Sequence, residues 1–274
     1  MAWSPIGIFD SGYGGLTVLK EIRQLMPEYD YLYLGDNARA PYGPRSFERV
    51  YEFTLQAVRH LFDAGCPLVI LACNTASAKA LRSIQQRDLP RMSDPTRRVL
   101  GVIRPTIEVV GERTQTRHIG VVATQGTISS RTYELEMAKL HPDIIVTGQP
   151  CPMWVSLVEN YEFDSPGADY FVQRDIERLL QQDPLIDTII LGCTHFPLLL
   201  KKVRAYTPAR IQLIPQGEYV AASLQDYLHR HPEMDSRLTR GATARFQTTD
   251  DPTKFASAAT IFMGQAVEAD RISL

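Results

Sequence analysis

The stretch that decides the fold is LVILACNTASAKAL, residues 68–81. It opens with a short apolar run that follows a glycine and a proline, a pattern typical of a buried parallel strand. The run stops at Cys73-Asn74-Thr75, and helix-forming residues follow. Cys73 is therefore predicted at the carboxyl end of a strand and at the start of a helix. That edge of an open α/β sheet is where ligands bind.

A second stretch repeats this design late in the chain. Residues 188–191 form another apolar run, which ends in Gly192-Cys193-Thr194-His195. A second helix is predicted to begin near Pro197. Two cysteines at predicted strand ends, each followed by Asn or Thr and a helix start, form the strongest chemical signal in the sequence.

The composition is that of an ordinary globular protein. The chain has 274 residues, enough for two domains, with 44% hydrophobic residues and a formal net charge of −2. This charge argues against a nucleic-acid binder or a polybasic membrane anchor. No apolar run approaches the roughly 18 residues of a membrane span, and no signal peptide is evident. The four cysteines lack a CxxC spacing, so we expect a cytoplasmic protein with no structural disulfide and no metal site.

The chain begins with a predicted strand, a glycine-rich turn and a helix. The strand is expected at residues 6–9, the turn DSGYGG spans residues 10–15, and apolar residues follow at helical spacing. The turn lacks both the GxGxxG order and a Walker lysine, and Asp10 would repel a phosphate, so phosphate binding is not favoured. Asp10 is either a site residue or a cap of the helix.

The rest of the chain alternates strands with helices. A loop at residues 35–43 follows the second strand, and proline and glycine fix its backbone around Tyr42. Residues 88–98 are charged, contain two prolines and are predicted to be a surface linker. Other strands are expected at residues 29–34, 99–103, 118–123, 144–147, 211–214 and 244–248, with a last helix at 252–264 and no assignment for 267–274.

The sequence also repeats itself weakly. Residues 6–9, IGIF, resemble residues 119–122, IGVV, and residues 69–75, VILACNT, resemble residues 189–195, IILGCTH. We therefore predict an α/β protein of two similar domains, each a mostly parallel sheet flanked by helices, related by pseudo-twofold symmetry. The first domain is expected to comprise residues 1–98 and 215–274, and the second residues 99–214. The active site would lie in the cleft between them.

Two cysteines that face one cleft suit a specific reaction. The positive end of a helix and its free N–H groups favour a thiolate, and the same groups can hold a carboxylate. His195 could stabilise a thiolate at Cys193, and Asp10 could orient or deprotonate Cys73. A thiolate and a thiol on opposite faces of one carbon would remove a proton from one face and return one to the other. This is racemisation with two bases.

Simpler interpretations of these residues stay open. A cysteine after a buried strand is often a small core residue, and we interpret Cys66 and Cys151 in this way. His195 could be a buried structural histidine, and Glu159, in a short apolar segment, could be a surface residue. A cysteine phosphatase would lack its arginine clamp, and a Cys–His hydrolase would leave one cysteine unused.

Four motifs, in this order, resemble the glutamate racemases of the cofactor-independent aspartate/glutamate racemase superfamily. They are FDSG with GG at residues 9–15, GD through PYG at residues 35–43, ACNT at residues 72–75, and GCTH with PL at residues 192–198. The resemblance covers nearly the whole chain. It implies a cytoplasmic homodimer that interconverts L- and D-glutamate without a cofactor. It also implies a supply of D-glutamate for peptidoglycan, and so for cell-wall biogenesis and cell shape.

The resemblance implies residue roles as well. Cys73 and Cys193 would be the two acid/base residues, and Asp10, Glu159 and His195 would assist them. The implied substrate contacts are Asp10, Ser11, Tyr42, Gly43, Asn74, Thr75, Thr194 and His195.

One departure from the family and two rival functions remain open. The family usually has Asp-Ser-Gly near the last crossover between domains, where this chain has Pro215-Gln216-Gly217. An aspartate racemase, or another superfamily member acting beside a carboxylate, is the nearest rival, since motif spacing does not encode the length of a substrate. A catalytically dead carboxylate-binding protein is the rival from another class, although both cysteines are present.

Overall fold

The fold consists of two parallel β-sheets, each covered by helices. The computed structural model describes residues 3–274; Met1 and Ala2, which the predicted first domain includes, lie outside the described residues. The strands are β1 (Ile6–Asp10), β2 (Tyr31–Gly35), β3 (Leu68–Leu71), β4 (Arg98–Gly101), β5 (His118–Ala123), β6 (Ile145–Pro150), β7 (Thr188–Gly192), β8 (Gln212–Ile214), β9 (Ala244–Thr248) and β10 (Ala269–Arg271).

Helices connect these strands. They are α1 (Leu16–Leu25), α2 (Phe47–Asp63), α3 (Asn74–Lys79), α4 (Leu81–Ser83), α5 (Ile103–Arg113), α6 (Gln125–Ser129), α7 (Thr132–Leu140), α8 (Pro152–Glu159), α9 (Pro166–Gln182), α10 (Leu200–Tyr206), α11 (Gly217–Arg230), α12 (Pro232–Asp235) and α13 (Pro252–Met263). Short 3₁₀ turns lie at Asn37–Arg39, Leu89–Arg91 and Phe196–Leu199, and a π-helical turn lies at Ile84–Asp88. Within residues 3–274, no helix is long and apolar enough to cross a membrane.

The local sequence explains where a helix such as α2 begins and ends. Ser46 caps α2 by accepting the Arg49 backbone N–H, and Gly65 follows its end with a φ of +97°, which glycine adopts most readily. Apolar residues at helical spacing, among them Val50 and Leu61, bury one face of α2 against the first sheet.

The two sheets share one topology. The first has the strand order β10-β9-β2-β1-β3-β4, the second has the order β6-β5-β7-β8, and the paired strands are parallel. Strands β2-β1-β3-β4 therefore correspond in order to β6-β5-β7-β8. This correspondence confirms the predicted α/β fold with two similar halves. It also puts Cys73 and Cys193 at equivalent positions, after β3 and after β7.

The chain crosses between the sheets twice. β4 pairs with β3 in the first sheet, with Val99 opposite Val69, although the second domain was expected to begin at residue 99. The first crossover therefore follows Gly101 and leads through α5 to β5. The second follows β8 and leads into α11, which packs against α1. β9 and β10 then extend the first sheet.

Burial fixes the strand ends at which the two halves meet. Strands β1, β3 and β7 are buried along their whole length, as expected for parallel strands covered on both faces. Close packing of such strands holds the backbone in place. The residues that directly follow them are therefore presented from a rigid frame.

Three elements differ from the sequence-based prediction. β10 lies within residues 267–274, which were left unassigned, because this edge strand is short, polar and largely exposed. The strand expected at residues 99–103 ends at Gly101, and α5 begins at Ile103 with Pro105 in its first turn, where proline is tolerated. The helix expected near Pro197 begins at Phe196, close to the predicted position, but its first turn, Phe196–Leu199, is a 3₁₀ turn.

Candidate active site

Cys73 follows β3 and caps α3. The backbone N–H of Ala76 donates to its Sγ at 3.4 Å, and the thiol donates to Ser11 Oγ at 3.4 Å. Burial, and after it the charge of Asp10, raise the pKa of the Cys73 thiol to about 12. We expected the start of α3 to lower this pKa, but its effect is smaller than that of burial. Cys73 is therefore a protonated thiol at neutral pH.

Cys193 follows β7 and faces an imidazole. Its Sγ lies 3.9 Å from His195 Nδ1, and Nε2 of the same ring lies 3.1 Å from Glu159 Oε1 at the end of α8. Burial by itself lowers the pKa of His195, but the hydrogen bonds to Cys193 and Glu159 raise it to about 10. His195 is therefore an imidazolium at neutral pH, and its positive charge lies beside the second sulfur.

Asp10 is the last residue of β1 and is fully buried. Its Oδ2 accepts the Gly12 backbone N–H at 2.9 Å, and its Oδ1 accepts the Thr194 hydroxyl at 3.4 Å. Burial raises the pKa of Asp10, and the positive charge of His195 opposes this rise. The carboxylate also interacts with the N–H of Gly15, next to the start of α1, so a capping role and a site role do not exclude each other.

Two glycines allow close packing of the turn after β1, and one of them lies against the second half. A Cβ at Gly14 would lie 2.3 Å from Thr194 Oγ1 and 2.4 Å from His195 Nδ1. A Cβ at Gly15 would lie 2.5 Å from the Cβ of Asp10. The contact between the two halves therefore requires Gly14, and the close packing of the turn against β1 requires Gly15.

The loop after β2 carries Tyr42 and Gly43 to the same region. Tyr42 Oη donates to the buried Asp36 carboxylate, which also accepts from Arg39 Nε at 2.7 Å. A Cβ at Gly43 would lie 3.1 Å from Thr124 Cβ, which belongs to the second half. The loop therefore reaches from the first sheet to the residue that follows β5.

Asn74 and Thr75 contact the second half through their side chains. Asn74 Nδ2 donates to Gln216 Oε1 at 2.7 Å, and Asn74 Oδ1 accepts from Tyr133 Oη at 2.8 Å. Thr75 Oγ1 lies 2.9 Å from Thr124 Oγ1. The strand end that carries the first cysteine is thus joined to the other half by direct hydrogen bonds.

A cavity of about 200 Å³ lies where the strand ends of the two halves meet. Every predicted site residue except Asp10, which is buried nearby, lines this cavity. Its volume suits a ligand smaller than the drug-sized molecules that larger pockets hold. The remaining lining residues are Pro41, Pro44, Thr124, Gln125, Cys151, Pro152, Val155 and Ser156.

Sequence reasoning missed several of these lining residues, and the internal repeat could have revealed two of them. Thr124 directly follows β5, as Ser11 directly follows its equivalent β1. Cys151 directly follows β6, the equivalent of β2. Ser156 lies within α8 and carries no signal in the sequence. Its position depends on how that helix packs.

The cavity offers an anion neutral donors and one imidazolium. No lysine or arginine is found among its described lining residues. Hydroxyl groups, side-chain amides, backbone N–H groups and His195 are therefore the groups that can bind a carboxylate here. Among residues 3–274, no group of three or more His, Cys, Asp or Glu side chains is placed to hold a metal ion.

The other two cysteines differ from the pair in environment. Burial, and after it the charge of Asp175, raise the pKa of Cys151 well above its usual range, and its thiol donates to the Gln149 carbonyl at 3.5 Å. Cys66 does not line the cavity, and burial raises its pKa to about 12. Neither thiol has an imidazole partner within the described part of the chain.

Comparisons with known proteins give one consistent result. A family model described as Asp/Glu/Hydantoin racemase matches residues 14–224. A glutamate racemase of Dinoroseobacter shibae is 42% identical over 273 residues, which cover 96% of this chain and 97% of that protein. The structure of a Bacillus anthracis glutamate racemase aligns with a TM-score of 0.89 at 34% identity, covering 99% of this chain and 98% of the other. A Francisella tularensis glutamate racemase, solved with D-glutamate, aligns with a TM-score of 0.86 at 30% identity, covering 98% of this chain and 97% of the other.

Proposed function

Since this chain belongs to the Asp/Glu/Hydantoin racemase family, we propose that it interconverts L- and D-glutamate, with Cys73 and Cys193 as its two bases and no cofactor. One observation carries the proposal. Both thiols line the same small cavity, and each comes from the equivalent strand end of one of two similar sheets. The relatives named glutamate racemases support glutamate as the substrate.

The proposed reaction uses one sulfur on each face of the α-carbon. A thiolate takes the α-proton and becomes a thiol, while the electron pair of the broken C–H bond stays on the α-carbon beside the carboxylate. The thiol on the opposite face then gives its proton to this carbon and becomes a thiolate, so the configuration inverts. The two sulfurs have exchanged protonation states and are ready for the opposite enantiomer.

The surroundings of the two sulfurs support a different starting state for each. Cys73, with a pKa of about 12, begins as the proton donor. The imidazolium of His195 stabilises negative charge on Cys193, and Glu159 keeps that imidazolium charged. We therefore assign Cys193 as the first base. The negative charge of Asp10 disfavours a second thiolate at Cys73.

Binding of the substrate would rely on oriented neutral dipoles. The hydroxyls of Ser11, Thr75 and Thr194 and the amide of Asn74 line the cavity and can donate to the carboxylates. Such preorganised donors act more strongly in a site from which water is excluded, and there they stabilise the charge that develops in the transition state. This contribution is necessary because, without a cofactor, the barrier to removing the weakly acidic α-proton is high.

The finer assignments follow from the same proposal. We propose that the product D-glutamate supplies peptidoglycan synthesis, that the protein acts in the cytoplasm, and that it forms a homodimer. Membership in the racemase family supports all three. Light scattering coupled to size-exclusion chromatography tests the dimer directly.

The reaction itself is tested by solvent exchange. The protein is incubated in heavy water with each enantiomer of glutamate and of aspartate, and the products are analysed by chiral chromatography and mass spectrometry. We expect glutamate to turn over, with deuterium at the α-carbon of the newly formed enantiomer, because its proton comes from a thiol that exchanges with solvent. Turnover of aspartate alone would move the assignment to aspartate racemase. Binding of ligand without any α-proton exchange would support a catalytically dead binding protein.

A second prediction concerns pH. The variant Glu159→Gln is expected to shift the alkaline limb of the kcat/KM profile to lower pH by about one unit or more, because a nearby opposite charge raises the pKa of a histidine by this order. His195 loses its proton near pH 10 in the parent, and without the Glu159 carboxylate it does so earlier. Rates are measured between pH 6 and pH 10.5.

The matched control for this pH shift is Glu162→Gln. Glu162 is exposed and makes no side-chain hydrogen bond to the cavity residues in the described chain. We expect its profile to coincide with that of the parent. Equal profiles for Glu159→Gln and the parent would remove His195 and Glu159 from the proposed mechanism.

A further inference from the structure

Gln216 lies at the second crossover, between β8 and α11, and is 4% exposed. The mechanism above does not use it. Yet a buried primary amide must satisfy two donors and one acceptor, and an unsatisfied one destabilises the fold strongly. Its partners therefore show what holds this part of the chain.

All the hydrogen bonds of the Gln216 amide go to buried groups from different elements. Its Nε2 donates to Thr106 Oγ1 at 2.9 Å and to Tyr133 Oη at 2.9 Å, with the Val102 carbonyl at 3.4 Å. Its Oε1 accepts from Asn74 Nδ2 at 2.7 Å. The amide thus joins α3 of the first half to α5 and α7 of the second.

This network also reaches both cysteine-bearing strand ends. Asn74 directly follows Cys73, and the Tyr133 hydroxyl that donates to Asn74 Oδ1 would lie 3.2 Å from a Cβ built at Gly192, which directly precedes Cys193. Through Asn74 and Tyr133, the Gln216 network therefore reaches the residue next to each cysteine. Asn74 itself lines the cavity, and its Nδ2 keeps one hydrogen without an acceptor among residues 3–274.

We infer that Gln216 is a positioning residue, whose amide holds Asn74 and Tyr133 so that one Asn74 N–H faces the substrate and the two sulfurs keep their separation. The inference rests on the proposed function. This positioning role requires an amide at residue 216, because a carboxylate there has no N–H to donate to Thr106 and Tyr133. The Tyr133 hydroxyl would then turn to donate to the carboxylate, and Asn74 Oδ1 would lose its partner.

The test compares Gln216→Glu with the parent for both enantiomers of glutamate. We expect kcat/KM at pH 8 to fall by about 10-fold or more, chiefly through KM, because a group that holds the substrate carboxylate acts on ground state and transition state alike. At pH 6 the deficit should shrink. Burial favours the neutral form of the introduced carboxyl, which has an O–H to donate and no charge.

Tyr133→Phe and the double variant complete the design. If Gln216 acts through Tyr133 and Asn74, the loss in the double variant should be close to that of the worse single variant, because residues of one network are not additive. The matched control is Gln149→Glu, which changes a buried glutamine of β6 outside the cavity. It should leave kcat/KM and its pH dependence unchanged.

Three outcomes would overturn the inference. These are a kcat/KM for Gln216→Glu within twofold of the parent, a loss that does not depend on pH, and losses that multiply in the double variant. Hydrogen exchange of the amides at residues 73–79 is followed in the same samples and is expected to rise in Gln216→Glu. If the parent turns over neither glutamate nor aspartate, the proposed function fails, and hydrogen exchange alone tests the role of Gln216. Faster exchange in Gln216→Glu than in the parent then supports the network, and unchanged exchange refutes it.

Discussion

Replacing either Cys73 or Cys193 by alanine is expected to lower the rate of glutamate racemisation by about 10²–10⁴-fold or more. This range is the contribution of one positioned acid/base group. Each variant keeps a sulfur on only one face of the α-carbon. It can therefore remove a proton and return one to the same face, but it cannot invert the carbon. Chiral chromatography of the products measures the loss of racemisation.

The same two variants have a second signature in heavy water. Each should exchange the α-hydrogen of one enantiomer without inversion, and the enantiomer should differ between Cys73→Ala and Cys193→Ala, because the sulfurs face opposite sides of the carbon. Cys66→Ala is the matched control, since Cys66 is also buried but does not line the cavity. It should keep full turnover per folded molecule. Normal racemisation by either active-site variant would refute the two-base assignment.

Replacing Asp10 by asparagine is expected to lower kcat by about 10²-fold or more, the lower range for a group that assists proton transfer. The shapes of the two side chains match, so the bond from the Gly12 N–H can persist. The negative charge that, after burial, raises the pKa of the Cys73 thiol is lost. The difference in protonation that we propose for the two sulfurs is therefore disturbed.

The stability of Asp10→Asn should not fall together with its activity. Burial raises the pKa of Asp10 above its unfolded value, so ionisation of this carboxyl works against folding once the pH exceeds the folded pKa. An uncharged amide removes that destabilisation. We expect a Tm equal to or above that of the parent at pH 8, measured by differential scanning calorimetry.

Asp30→Asn is the control, with the opposite expectation. Burial of Asp30 would raise its pKa, but hydrogen bonds from Thr239, Thr243 and Gly241 lower it overall. A carboxyl whose pKa is lowered by folding stabilises the folded state at pH values above its unfolded pKa. This stabilisation is lost as the pH falls through the folded pKa. Asp30→Asn should therefore lower Tm at pH 8 and leave kcat of the folded enzyme unchanged. If Asp10→Asn behaves in this same way, Asp10 is structural.

Much of the fold could be predicted because local patterns encode it. The apolar runs before Cys73 and Cys193 are the buried strands β3 and β7, and the turn after β1 is glycine-rich because Gly14 touches the second half. Parallel strands covered on both faces are almost continuously apolar, and this makes them visible in a sequence.

Other parts could not be predicted because their causes are not local. β10 is a short polar strand that exists because the edge of β9 accepts it. Residues 98–101 join the first sheet because β3 offers them a partner. Ser156 and the Gln216 network depend on contacts between segments far apart in the chain, which no period or motif records.

The sequence alone determined which residues could carry the chemistry: two cysteines at equivalent strand ends, an aspartate at the end of the first strand, and a histidine two residues after the second cysteine. Periodicity and turn chemistry act over a few residues, so one-dimensional patterns suffice for them. Only the tertiary structure decided the electrostatics. Burial and the charge of Asp10 raise the pKa of Cys73, while Glu159 reaches His195 from another helix and keeps it charged beside Cys193. Burial and charge proximity exist only after the two halves have packed together, and they give the two similar cysteines different electrostatic surroundings.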